Sequence, residues 1–386
     1  MGVILSAVTA KAKITVMKFG GAALRDGAGV QRAVAIVDEH GGEDPVVVVS
    51  ALEGVTDLLV QAARAAARGE VNVEAVRVRH RSVLRELDAD PERLDRYVRE
   101  LTLLLDSICA RRDLRAVELD HVLSFGERAS ARIVAGCFEA EGIPATPVDS
   151  YDLGLTTDSN HGNARPLPGE HTEVKRSVGE IPGVPVVTGF LAKDRGGNLT
   201  TLGRNGSDLS AALLAEAIGA GAVEFWKGVP GVLTADPLVV PDARPIERLS
   251  FADAEELGQL GARVLHPDAI GPAVRAGIEV RVRFVEDPTH AGTTLTEDEA
   301  TDGPVAAVAT TMSSRSAVAL VGVRSAEFEA SARRALEAAE IPVGWSEPSQ
   351  SGRALFLGVD ARDSVGALRC VHEALLAPRI SNDGPA

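Results

Sequence analysis

The sequence predicts an α/β sandwich around a largely parallel sheet, followed by a small α+β module, and three observations carry that expectation. Apolar runs alternate with stretches of helical periodicity from about residue 13 to about residue 300. The chain of 386 residues exceeds the usual size of one domain, so two cores are expected. A composition shift at "EDEATDGPVAA", acidic, polar and proline-containing, reads as the linker between them.

"KITVMKFGG" reads as a first strand ending in a glycine turn, and "GVQRAVAIVDEH" as the helix after it. "DPVVVVSAL" is a second, buried strand. Residues 58–118 carry amphipathic stretches such as "VLRELDADPERLDRYVRELTLLLDSICARR", read as a helical insertion whose charged positions form solvated faces. Further strands are expected at "IPATPV", "VPVVTGFL", "AVEFWKGV" and "EVRVRFV", with helices between them. Beyond the linker, "VAAVATT", "SAVALVGV", "EFEASARRALEAAEI", "VGWSEPS", "RALFLGVD" and "SVGALRCVHEALL" read as strand, strand, helix, strand, strand, helix. The tail 379–386 reads as disordered.

Composition limits the partners. The chain is 45% hydrophobic and 25% charged but only 3% aromatic, so its cores are built from Val, Leu, Ile and Ala. A net charge of -15 argues against binding nucleic acid by phosphate neutralisation and against an anionic membrane surface. Cys109, Cys137 and Cys370 have no metal-ligand spacing and read as reduced thiols of a cytoplasmic protein. "MGVILS" matches an acylation pattern, which we read as chance, and the apolar N-terminus is too short to span a bilayer.

Five places concentrate the chemistry. Lys18 ends the first strand just before Gly20 and Gly21, where missing side chains let backbone N–H groups approach an anion. Ser50 and Thr56 flank a glycine at the end of the second strand, and Glu127 stands at a glycine turn expected to open a helix. Taken singly, each is also a residue that a helix cap would use. In "TTLGRNGSDLSAALLA", Arg204 offers a planar fork for a carboxylate or phosphate, and Ser207 and Asp208 begin a helix, Asp208 being open to reading as its cap. Asn205 suits a left-handed turn. Finally "KGVPGVLTADP" and "GARVLHPDAI", with Arg263, could frame an adenine nucleotide.

In this order the pieces resemble the aspartokinase branch of the amino-acid kinase family, over about residues 14–296. The resemblance rests on the Lys-Phe-Gly-Gly strand end, "SALEGVTDLL", "FGERASA", "LTTDSNHGNARPL", "TTLGRNGSDLSAALLA", "WKGVPGVLTADP" and "GARVLHPDAI". It implies an amino-acid-kinase-like three-layer sandwich over 13–300 and a single ACT-like domain over 305–378. The implied reaction is transfer of the ATP γ-phosphoryl group to the side-chain carboxylate of L-aspartate, with Mg²⁺ bridging the nucleotide phosphates and no metal ligands from the protein. By the same carry-over, Lys18, Gly20, Gly21 and Asp208 are catalytic, while Ser50, Thr56, Glu127, Arg204 and Ser207 hold the substrate. Lys227, Gly228, Val229, Gly231, Leu233, Asp236 and Arg263 face the nucleotide. A cytoplasmic homodimer in amino-acid biosynthesis is implied as well.

The chain departs from the family pattern at four points. Ala22 and Ala23 stand where hydroxyls are usual, Gly228 where the family carries an aspartate, and Leu238 where an arginine is common. The C-terminal segment has room for one ACT-like unit instead of two, so inhibition by lysine or threonine is expected to be weak. These departures keep open a kinase of another amino acid or carboxylate, or a catalytically weak regulatory homologue that binds amino acids.

Overall fold

A computed structural model describes residues 14–297 and 304–376, except 168, 170, 171, 263, 264, 266, 313, 314 and 323–325. The "MGVILS" pattern, Arg263, part of the linker and the tail 379–386 lie outside the described residues. The chain forms two compact units, Met1–Gly228 with Gly271–Val280, and Val229–Ile270 with Arg281–Ala386.

The first unit opens with β1 (Ile14–Phe19), α1 (Gly27–His40), β2 (Asp44–Val49), α2 (Val55–Arg68), α3 (Glu74–Glu86), α4 (Asp95–Arg111) and α5 (Ala116–Ala140). It continues with β3 (Ala145–Val148), β4 (Thr156–Thr157), α6 (Thr172–Gly179), β5 (Val184–Thr188), β6 (Leu191–Asp194), β7 (Leu199–Thr201), α7 (Gly206–Ile218) and β8 (Ala222–Lys227). Five strands run in the order β3-β5-β2-β1-β8 and every pair is parallel. Such strands are covered on both faces, which is why "VVVV" of β2 is apolar without alternation and buried throughout. β1 is central, so Lys18 is carried to the C-terminal edge of the sheet in register with Val48 and Phe225. Beside it, Phe19 stacks on Trp226 with centroids 6.0 Å apart.

Two expectations change here. "VPVVTGFL" is not one strand: β5 stops at Thr188, and Phe190 takes a left-handed φ of 66° before β6 begins. Gly126 and Glu127 do not open a helix but lie inside α5, where the glycine admits a close neighbour: a Cβ on Gly126 would stand 2.8 Å from that of Ala51. Some charged residues of the helical segment also make tertiary bonds from the solvated face. Glu86 accepts a 2.8 Å bond from the Gly27 amide, and Arg79 donates to the carbonyls of Arg25 and Glu53. Both hold the loops that leave β1 and β2.

The second unit contains β9 (Arg248–Ser250), α8 (Phe251–Gln259), the first four residues of α9 (Pro267–Arg275) and most of β10 (Glu279–Phe284). After β11 (Thr293–Thr296) come β12 (Ala306–Met312), β13 (Arg315–Val321), α10 (Ala326–Ala338), β14 (Trp345–Pro348), β15 (Ala354–Gly358) and α11 (Ser364–Leu375). β12-β13-β15-β14 form an antiparallel sheet. The strand and helix order after the linker follows the reading of the sequence. The compact units part after Gly228, with Gly271–Val280 in the first, and the packing explains why. Ala235 and Val240, from the stretch after "WKGVPG", belong to the same core as Val318, Leu320, Leu357 and Val371. Thr234 Oγ1 lies 2.8 Å from His372 Nε2, and the Ala307 amide donates to the Thr234 carbonyl at 2.9 Å.

Candidate functional site

Helix α7 follows a left-handed turn at Asn205, whose φ is 57°, so the sequence signal of an asparagine beside a glycine is realised. Asn205 is the cap position. Asp208 is therefore free of capping, and its buried carboxylate lies 2.6 Å from Lys18 Nζ and 2.7 Å from Lys227 Nζ. Burial alone would push the Asp208 carboxyl up, but the two ammonium groups together hold it below the usual range. Lys227 is lowered, first by its burial and then by repulsion from Lys18, against the pull of Asp208. Two cations sharing one anion leave an excess of positive charge beneath the open end of the sheet.

The glycine turn after β1 is shaped by close approach. A Cβ at Gly20 would meet Lys18 Nζ at 3.2 Å, and one at Gly21 would meet the Ala51 carbonyl at 3.0 Å. Ala22 is exposed, whereas Ala23 is buried in the core, so a hydroxyl at 23 would point inward. On the other wall, Glu127 is 4% exposed, and burial raises its pKa to about 7, against an amide bond from Ala51 and the nearby Lys18 charge. The end of β1 and the loop after β2 are tied by the Ser50 amide bonding to the Phe19 carbonyl at 3.1 Å.

These groups surround a cavity of about 400 Å³. Of the residues singled out in the sequence, Lys18, Gly21, Ser50, Thr56, Glu127, Ser207, Asp208 and Lys227 line it. Gly20 and Arg204 do not, although Gly203 and Asn205 on either side of Arg204 do. The Arg204 side chain is exposed and has no ion-pair partner among the described residues. Gly228 has open space where a side chain would be. Val229, Gly231, Leu233 and Asp236 belong to the second unit. There the Gly231 turn presses against Thr293, Leu233 bridges Pro245, and the Asp236 carboxylate accepts the Leu238 amide at 2.9 Å.

Sequence reasoning missed Phe190, Glu53 and Asp57, which also line the cavity. For Phe190 a signal existed, a glycine closing a buried strand. A Cβ on Gly189 would meet the Ser207 Cβ at 2.7 Å, and the Phe190 amide donates to Ser210 at 2.8 Å, so the left-handed turn is locked onto α7.

A sheet-edge lysine, a glycine turn and a helix-borne aspartate joining two ammonium groups define an anion-handling site on a parallel sheet. The amino acid kinase family model matches residues 13–283, and the chain belongs to that family. Within it the chain is similar to Aspartokinase 1, chloroplastic, of Arabidopsis thaliana, with 34% identity over 305 residues covering 76% of this chain and 54% of that protein. The chain thus spans about half the length of that curated relative. Among solved structures, it matches Escherichia coli aspartokinase III in complex with aspartate and ADP, with 28% identity and a TM-score of 0.69 over 94% of this chain and 84% of that one. Clostridium acetobutylicum aspartate kinase, at 18% identity and a TM-score of 0.79 over 94% of this chain and all of that one, shares the fold. No helix among the described residues is long and apolar enough to cross a membrane.

Proposed function

We propose that this chain is an aspartate kinase, moving the γ-phosphoryl group of MgATP to the side-chain carboxylate of L-aspartate. The observation that carries this reading is the Lys18–Asp208–Lys227 arrangement in a cavity that Glu127 also lines. The similarity to aspartokinases, one of them solved with aspartate and ADP, supports both substrates.

An acceptor carboxylate is ionised at neutral pH and needs no general base. One of its oxygens forms the new bond to phosphorus while the bond to the β,γ-bridging oxygen breaks, and that electron pair leaves with ADP. Catalysis is then positioning and charge neutralisation. Lys18 and Lys227, with the amides of Gly20 and Gly21, stabilise the equatorial oxygens. Asp208 sets the distance between the two lysines. Glu127 takes the substrate ammonium, Ser50, Thr56 and Ser207 fix its orientation, and Arg204 folds over the rim to the α-carboxylate. Gly228, Val229, Gly231, Leu233, Asp236 and Arg263 serve the nucleotide. Mg²⁺ would be carried by the nucleotide phosphates and would neutralise part of their charge; two lysines with an aspartate already committed to them suit phosphate oxygens better than a metal cage.

Residues 13–300 acting as the kinase domain, 305–378 as a single ACT-like module, and a cytoplasmic homodimer complete the proposal. The test is hydroxamate formation from aspartate, ATP and hydroxylamine by the purified chain. Aspartate-dependent product is expected; a yield no greater than that of Lys18→Met would overturn the reading.

A further inference from the structure

We propose that Asp120 is a positioning residue of the acceptor side, spacing the wall that carries Glu127 from the turn that carries Arg204. Asp120 stands about two helical turns before Glu127, so both project from one side of α5. It has no solvent exposure. Its carboxylate accepts bonds from three places: Thr201 Oγ1 at 2.6 Å, the Gly162 amide at 3.0 and 3.1 Å, and His161 Nδ1 at 2.8 Å.

Those donors belong to two segments that Asp120 ties to α5. Thr201 ends β7, and the next residues form the Gly203–Asn205 turn into α7. His161 and Gly162 lie in the "DSNHGNAR" loop, a stretch that the proposed reaction leaves without a role. The loop is sewn to β7 independently, with the Ala164 amide on the Thr201 carbonyl at 2.9 Å. Gly203 is approached so closely by Asn163 that a Cβ there would collide with the amide oxygen. Loop, strand end and turn therefore move as one body, and Asp120 is the polar anchor of that body on α5. An apolar residue could fill the same space but could not receive the hydroxyl, amide and imidazole donors.

The kinetic half of the test rests on the proposed aspartate kinase activity; the exchange half does not. Asp120→Asn replaces one acceptor oxygen by a donor, and Thr201→Val removes one hydroxyl at constant shape, while Thr201→Ser keeps it. In the full chain, Asp120→Asn and Thr201→Val are expected to raise KM for aspartate about tenfold, with KM for ATP within about twofold. Thr201→Ser should restore wild-type KM. Hydrogen exchange of the same proteins should quicken at 158–165 and 203–209 while 18–24 stays protected. Equal effects on both KM values, or unchanged exchange at 203–209, overturns the positioning role. If wild type makes no aspartyl hydroxamate, the activity reading falls, and exchange at 203–209 still decides the role of Asp120.

Discussion

Asp208 shows how three residues, each ordinary in sequence, become a site. A buried carboxylate costs several kcal/mol unless paired, and here two lysines pair with it while leaving net positive charge for an incoming anion. Asp208→Asn removes the balance and leaves Lys18 and Lys227 repelling each other, so kcat is expected to fall by about a hundredfold or more. Steady-state kinetics would sink the assignment if kcat stayed within a few-fold. Arg204 is a different case, because it is exposed and touches no partner among the described residues. Arg204→Ala should raise KM for aspartate by roughly 30-fold or more, the loss of about 2 kcal/mol or more, with an unchanged melting temperature. An unaltered aspartate KM removes it from the acceptor site. For Glu127 the raised pKa, about 7, gives a pH prediction. Its folded-state pKa lies above the ordinary value of 4.5, so the stability it contributes is complete below pH 4.5 and is lost as pH rises through 7. A substrate ammonium favours the ionised form, so at pH 7 binding of aspartate should release about half a proton. Apparent affinity should then climb between about pH 6 and pH 8. Calorimetry in two buffers of different ionisation enthalpy measures the proton directly, and identical heats would refute the coupling.

At the scale of elements, α5 does the most to assemble the site, since it carries Asp120, Gly126 and Glu127 past the loop that follows β2. Its closeness depends on Gly126. Gly126→Ala places a methyl 2.8 Å from the Ala51 Cβ and 3.4 Å from Leu59 Cδ1, pushing that loop away. A destabilisation of about 1 to 3 kcal/mol is expected despite the better helix propensity of alanine. Denaturant unfolding checks it; a stabilised variant would show that the helix and loop are not in firm contact. The sequence misleads at this point because a glycine followed by a polar pair is also what a helix start looks like. Nothing local distinguishes a glycine that ends a turn from one that admits a neighbouring backbone.

For the molecule as a whole, the segment after "WKGVPG" is committed to the C-terminal sheet through Ala235, Val240 and the Thr234–His372 contact. Removing residues 305–386 strips those partners away. The truncated chain is expected to exchange amides far faster across 232–246 than the full chain does. Unchanged protection there would mean that the segment folds without the sheet. Loss of the C-terminal region is thus expected to reach the proposed nucleotide residues Leu233 and Asp236, beyond any effect on association of subunits.

The sequence by itself determined the largely parallel sheet and most of its strands and helices, and it marked several of the groups that line the cavity. Continuous apolar runs, glycine turns and capping residues are local signals, and Lys18, Glu127, Arg204 and Asp208 were each marked by their immediate neighbours. Only the tertiary structure decided which of these meet. Lys227 joins Lys18 on Asp208 because β8 is paired beside β1. Asp120 finds its donors in residues 161, 162 and 201, and the strand ending at Thr188 gives way to a strained Phe190 because α7 must pass against Gly189. Such contacts are set by strand order and helix approach across long sequence separations, where no short-range pattern records them.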